Sequence, residues 1–206
     1  RFQEGIATIK DLIAPSSMEI STTKIRIGDV HARSFYVYSY PRFLDTNWLA
    51  PLINFDVTMD ISMFVYPFES AAIMKKLRKK VAQFRSTIRM DRERGMVEDP
   101  ALETALEDAE TLRRDLQRGT ERFFQFGLYF TIYTEDEKKL DQLSKQLESL
   151  LGSKLVLTKR ADMQMDHAHN SCLPVALDEL EMMNNMNTGP LSTTFFPKSF
   201  FRANSA

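Results

Sequence analysis

From Val57 to Val65 every odd position is apolar (Val57, Met59, Ile61, Met63, Val65), while Thr58, Asp60 and Ser62 are polar. A period of two puts the two sets on opposite faces of an extended chain, so this segment predicts a half-buried strand, ended by Pro67. The same alternation runs through residues 123–133, where Phe124, Phe126, Leu128, Phe130 and Ile132 share one face. No other stretch gives so strong a strand signal. Two β-branched and aromatic runs, 24–28 and 33–40, flank Gly28 and Asp29 and predict an antiparallel hairpin. A short strand is predicted at 154–158.

Between these strands the period lengthens. Ile73, Leu77, Val81, Phe84 and Ile88 recur at steps of three or four, which predicts a helix running to about Arg94 and closed by Gly95. Asp99 as N-cap and Pro100 at the first helical position open a second helix, striped by Leu102, Leu106, Ala109, Leu112 and Leu116 and ended by Gly119. Thr134 and Glu137 have the spacing of a capping box for a third helix, whose Leu140, Leu143, Leu147, Leu150 and Leu151 precede Gly152. A helix kept short by Pro51 is expected from Asp45 or Thr46, and another at 163–168.

This order predicts an α+β fold. It calls for a mixed or antiparallel sheet with helices on one face, in a split-βαβ arrangement from which a long helical hairpin at about 69–118 projects as an insertion. Residues 1–185 read as one domain and 186–206 as a linker.

Composition narrows the class. With 43% hydrophobic and 27% charged residues among 206, the chain is neither disordered nor fibrous. Its 27 basic and 28 acidic residues leave a net charge of −1, so no global field gathers nucleic acid or anionic lipid. Locally the picture differs. Residues 75–94 hold nine basic side chains, among them Lys75, Lys76, Arg78, Lys79 and Lys80, against Asp91 and Glu93. Residues 98–110 hold six acids and no base. Two antiparallel helices would set these charges side by side, each exposed pair contributing about 0–1 kcal/mol and fixing register more than stability. The alternative is that the basic helix is a nucleic-acid or anionic-membrane surface, although only Phe84, on the apolar stripe, interleaves it with an aromatic ring.

Candidate chemistry is sparse. Cys172 is the one cysteine, which excludes an internal disulfide and fits a reducing compartment. His167, His169 and Cys172 are weak metal candidates: they lie within a few residues of one another, without the second ligand pair of a structural zinc site, and read more simply as solvated histidines and a small buried thiol. No phosphate-cradling glycine motif occurs, so no catalytic residue and no cofactor is expected within the chain. Met182, Met183 and Met186 suit either core filling or a docking surface. No apolar run approaches the roughly 18–20 residues that cross a bilayer. The chain opens on Arg1, which leads us to expect sequence upstream.

Several stretches together resemble one family: "EGIATIKDLIAPSSMEI" (4–20), "IRIGD" (25–29), "YPRFLDTNWLAPLINFD" (40–56), "DISMFVYPFES" (60–70) and "ERFFQFGLYFTIYT" (121–134). They are similar to the N-terminal domain of the conjugative-transfer ATPases of type IV secretion systems, the TraC/CagE class, in the family's order and over about residues 4–195. The resemblance implies a non-catalytic docking and assembly domain of a hexamer-forming motor, cytoplasmic and held peripherally at inner-membrane channel components. "MNTGPLSTTF" (186–195) is similar to the passage that leads into the RecA-like motor domain, to which ATP and magnesium would belong. On this likeness 186–206 is a severed linker toward an absent ATPase domain.

Overall fold

Gly28 takes a φ of +59°, in the left-handed region that glycine enters without strain, and folds Ile25–Ile27 (β2) back antiparallel onto Val30–Ser39 (β3). The computed structural model, which describes residues 17–41, 43–97 and 99–194, adds Met18–Ile20 (β1), Thr58–Pro67 (β4), Phe123–Thr134 (β5), Leu157–Arg160 (β6) and Asn184–Asn187 (β7). The helices are Ala50–Ile53 (α1), Ser70–Glu93 (α2), Pro100–Arg118 (α3), Glu137–Gly152 (α4), Met165–Cys172 (α5) and Thr188–Ser192 (α6).

The strands form one sheet in the order β1-β2-β3-β5-β4, with β6 on β3 and β7 on β5. β3 is central: Phe35 faces Phe130 of β5 across one edge and Arg160 of β6 across the other, both antiparallel. Along β6-β3-β5-β4, β3 separates β5 from β6 and β5 separates β3 from β4. Two βαβ units are thereby interleaved, and the α+β, split-βαβ reading stands.

The cover is fuller than the pattern predicted. Phe126 to Ile132 are buried without a break, so β5 is enclosed on both sides, where the alternation predicts burial of one face only. Arg33, opposite Ile132, bonds to α4 through Ser144 and Asp141 at 2.9 and 2.8 Å. Tyr129 packs on the other side against Ala168 and Cys172 of α5. Helices therefore lie on both faces of the β3–β5 pair, not one.

Local starts and stops moved by a few residues, each for a physical reason. Pro51 sits in the first turn of α1, where its missing N–H costs nothing, so it begins the helix that it was expected to cut short. Thr134 is still strand, and α4 is capped by Asp136, whose carboxylate accepts from Lys138 N at 2.8 Å. β6 starts at Leu157 because Leu155, at φ +58°, turns the chain first. α5 starts at Met165 because Met163, at φ +70°, donates its N–H to Thr22 O at 2.8 Å. The three-residue β1 had no sequence signal of its own.

The chain divides into two compact units, interleaved in sequence. Within the described residues the first comprises 17–41, 48–64 and 127–183, and the second 43–47, 65–97, 99–126 and 184–194. The sequence reading expects residues 1–185 as one domain. Its proposed linker begins inside the fold, since β7 pairs with β5 (Met186 opposite Phe124) and Met186 and Leu191 are buried. Residues 195–206, and most of the first motif of the family resemblance, lie outside the described residues.

In the first unit, Phe35 and Phe130 stack at 5.1 Å and 12°, both fully buried. Leu140, Leu147 and Leu151 of α4, also fully buried, supply its helical layer. In the second, α2 and α3 form the expected hairpin. Asp99 caps α3 by accepting from Ala101 N at 2.9 Å, and Gly119 ends it at φ +75°.

Candidate functional site

The metal candidates lie on α5, where each residue turns about 100° from the last, so His167 cannot share a face with both His169 and Cys172. His167 is exposed, its Nδ1 3.3 Å from Glu179 Oε2. His169 is buried with its ring edge against Tyr133 at 6.2 Å. Burial draws its pKa below the usual imidazole range, opposed by the Asp60 charge. Burial also pushes the Cys172 thiol up to about 12, against a hydrogen bond from Thr131 that favours the thiolate. Among the described residues no three His, Cys, Asp or Glu side chains gather as a metal site.

Cys172 should therefore be inert in the native fold. Dithiobis-nitrobenzoate at pH 8 is expected to label it on the order of a hundredfold more slowly in the native protein than in denaturant, because the thiolate is the nucleophile. Fast labelling without denaturant would contradict its burial.

What α5 does instead is hold the segment that follows it. Ser171 Oγ donates to His167 O at 2.8 Å and accepts from the backbone N–H groups of Glu179 and Leu180 at 2.9 and 3.2 Å. Asn170 Nδ2 donates to Glu179 Oε2 at 2.8 Å, the oxygen that His167 also faces. Asp178 Oδ2 accepts from Tyr129 Oη at 3.2 Å, and Oδ1 from Glu181 N at 2.9 Å. Gly127 makes room for that hydroxyl: a Cβ there would lie 2.7 Å from Tyr129 Oη. Leu180 closes the clamp in the cluster of Tyr129, Ala168 and Cys172.

Between these anchors the chain reads Leu-Pro-Val-Ala-Leu from Leu173 to Leu177, and it faces outward. Leu173, Val175 and Leu177 are 36%, 63% and 54% exposed. An apolar loop fastened at both ends and held in water is unusual on a surface and is the kind of feature that contacts use. Sequence reasoning passed over it. The signal available was an apolar five-residue run with a proline, set between a helix and an acidic pair. The methionines are packing elements by contrast, with Met182 against the Tyr129 cluster and Met186 buried.

The second candidate is the charged hairpin, and its register corrects the sequence reading. Arg85 Nε and Nη2 reach Glu110 Oε1 at 3.0 and 2.6 Å, which fixes how α2 and α3 run past each other. Counting equally from that pair, the acidic run up to Glu110 lies beside 85–96. Residues 75–80 lie instead beside 115–120. The acidic run therefore answers the far half of α2 and leaves Lys75, Lys76, Arg78, Lys79 and Lys80 beside a stretch whose one acid is Asp115. All five are exposed.

An open cleft of about 450 Å³ in the first unit is lined by Asp56, Thr58, Tyr133, Glu135, Asp136 and Lys139, among others. Tyr133 donates to Asp60 at 2.7 Å, and burial first, then that bond, raise its pKa far above the phenol range. Its hydroxyl is thus held as a donor to the Asp60 carboxylate. Comparison with models of known protein families and with curated proteins finds no match for this chain.

Proposed function

We propose that this chain is a protein-interaction and assembly module, the front part of a type IV secretion ATPase of the kind its sequence resembles. In this reading it carries out no chemistry itself. It docks a downstream RecA-like motor, the holder of ATP and magnesium, onto an inner-membrane component of the channel, from the cytoplasmic side and within an oligomer. The observation that carries the docking is the clamped loop Leu173–Leu177, whose exposed Leu173, Val175 and Leu177 are held by the Ser171 and Asp178 anchors. A loop already fixed in one conformation gives up little ordering entropy when a partner covers it, so its apolar area converts more fully into affinity.

The test is site-specific photo-crosslinking in cells from a benzoyl-phenylalanine placed at Val175 or Leu177 of the full-length protein. The expected result is an adduct with an inner-membrane channel component, absent when the photo-reactive group is at Glu107 on the exposed acidic face of α3. No adduct, or one only with a second copy of the chain, would overturn the docking reading.

A further inference from the structure

The cations at 75–80 of α2 are not alone at their end of the hairpin. The register that sets residues 75–80 beside 115–120 also brings the last turns of α3 alongside, with Arg113, Arg114 and Arg118. Five basic residues without an acid on α2 thus meet three arginines with only Asp115 among them. None of Lys75, Arg78, Lys79 and Lys80 meets a carboxylate among the described residues, whereas Arg85 and Arg89, further along α2, each do. A near-neutral chain thus carries a local excess of cations at this end of the hairpin.

We infer that this face binds the phosphate backbone of a single-stranded nucleic acid. Three features select that occupant. First, at about 100° per residue the five cations from Lys75 to Lys80 spread over about 200° of the helix, further than a flat membrane could engage at once but within the reach of a chain of phosphates that curves around it. Second, α2 has no spare apolar stripe to enter a bilayer, because Ile73 and Val81 are buried within the protein. Third, aromatic rings beside the cations, which α2 itself does not offer because its one ring, Phe84, sits on the apolar stripe, are supplied by the end of β4 and the residue after it. Lys76 Nζ lies 5.8 Å over the Phe68 ring, and Tyr66, two residues earlier, is 43% exposed. Cations that track phosphates beside an exposed ring on which a base can stack are the working parts of sequence-tolerant single-strand binding.

This inference does not rest on the docking reading, since it uses none of the residues of the clamped loop. Its test is fluorescence anisotropy of a labelled 30-nucleotide oligo-dT with the full chain, titrated with salt. The wild-type protein is expected to bind at about 50 mM salt, with log affinity falling linearly as log salt rises. The Lys75→Ala, Arg78→Ala, Lys79→Ala, Lys80→Ala variant should lose at least tenfold in affinity, with a slope shallower by about 3. The double variant Arg89→Ala, Arg94→Ala, at the acid-flanked end of the hairpin, should bind as wild type does. All these residues are exposed, and circular dichroism confirms that each variant is folded before binding is compared. No binding at 50 mM salt, or equal losses in the two variants, overturns the inference. So does binding to duplex but not to oligo-dT, or binding only to phosphatidylglycerol vesicles, which would make the face a membrane patch.

Discussion

Phe35→Ala is expected to lower stability by about 3–5 kcal/mol, the largest loss foreseen for any single change in the chain. Phe35 is fully buried at the middle of β3, where its backbone pairs with β5 on one side and β6 on the other. Its ring stacks on Phe130 under the leucines of α4. Truncation would remove the transfer energy of a benzyl group and leave a void bounded by a sheet on one side and a helix on the other, neither of which can move in without breaking its own pairing. For a chain of this length the loss corresponds to a fall in melting temperature on the order of 10 °C. Phe35→Leu keeps most of the volume and should cost about 1–2 kcal/mol, the remainder being lost stacking and shape. Thermal or denaturant unfolding of the two variants checks the ordering. A loss below about 1 kcal/mol for the alanine would show that the site collapses and that the stack is not a support of the sheet.

The elements that the sequence predicted best are those whose signals are local. Asp99, Pro100 and Gly119 act on the residues beside them, and α3 starts and stops where they say. Alternation in 123–133 marked β5 for the same reason. Its second buried face escaped notice because Tyr129, Thr131 and Tyr133 look like water-facing residues. The helix that covers them shows no apolar stripe either, burying Met165, Ala168, His169, Ser171 and Cys172 together. Buried polar groups that satisfy one another between paired strands, as Ser34 and Thr131 do at 2.7 Å, leave no hydropathic trace.

Register was the other thing hidden. That α2 is basic and the following helix acidic was plain, and mutual neutralisation seemed to follow. Which charges meet depends on where the hairpin turns, and a turn at Gly95 sets the acids beside Arg85–Arg94 and away from Lys75–Lys80. The clamped loop was invisible for a similar reason: its anchors come from β5 and α5, joined by hydrogen bonds that no spacing rule encodes.

Those anchors give the second large prediction. Ser171→Ala is expected to cost about 2–3 kcal/mol, far more than the removal of one hydroxyl usually does. Ser171 is wholly buried, and its oxygen is the acceptor for two backbone N–H groups, those of Glu179 and Leu180. Alanine takes the acceptor away and leaves both donors in place, Leu180 N in a buried position, so the penalty is that of unpaired groups and not of a lost bond alone. The remaining ties, from Tyr129 to Asp178 and from Asn170 to Glu179, hold side chains and cannot replace the main-chain contacts. Loss should therefore be local before it is global. Amide hydrogen exchange would speed up across residues 175–181 by more than tenfold, while the amides of β3 and β5 keep most of their protection. If the docking reading is right, the same variant weakens the photo-crosslink from Val175 although the loop's apolar residues are all intact, because the partner must then order the loop itself. Uniform acceleration across the sheet would mean that Ser171 serves the core as a whole. Unchanged exchange in the loop would mean that it is not held by this clamp.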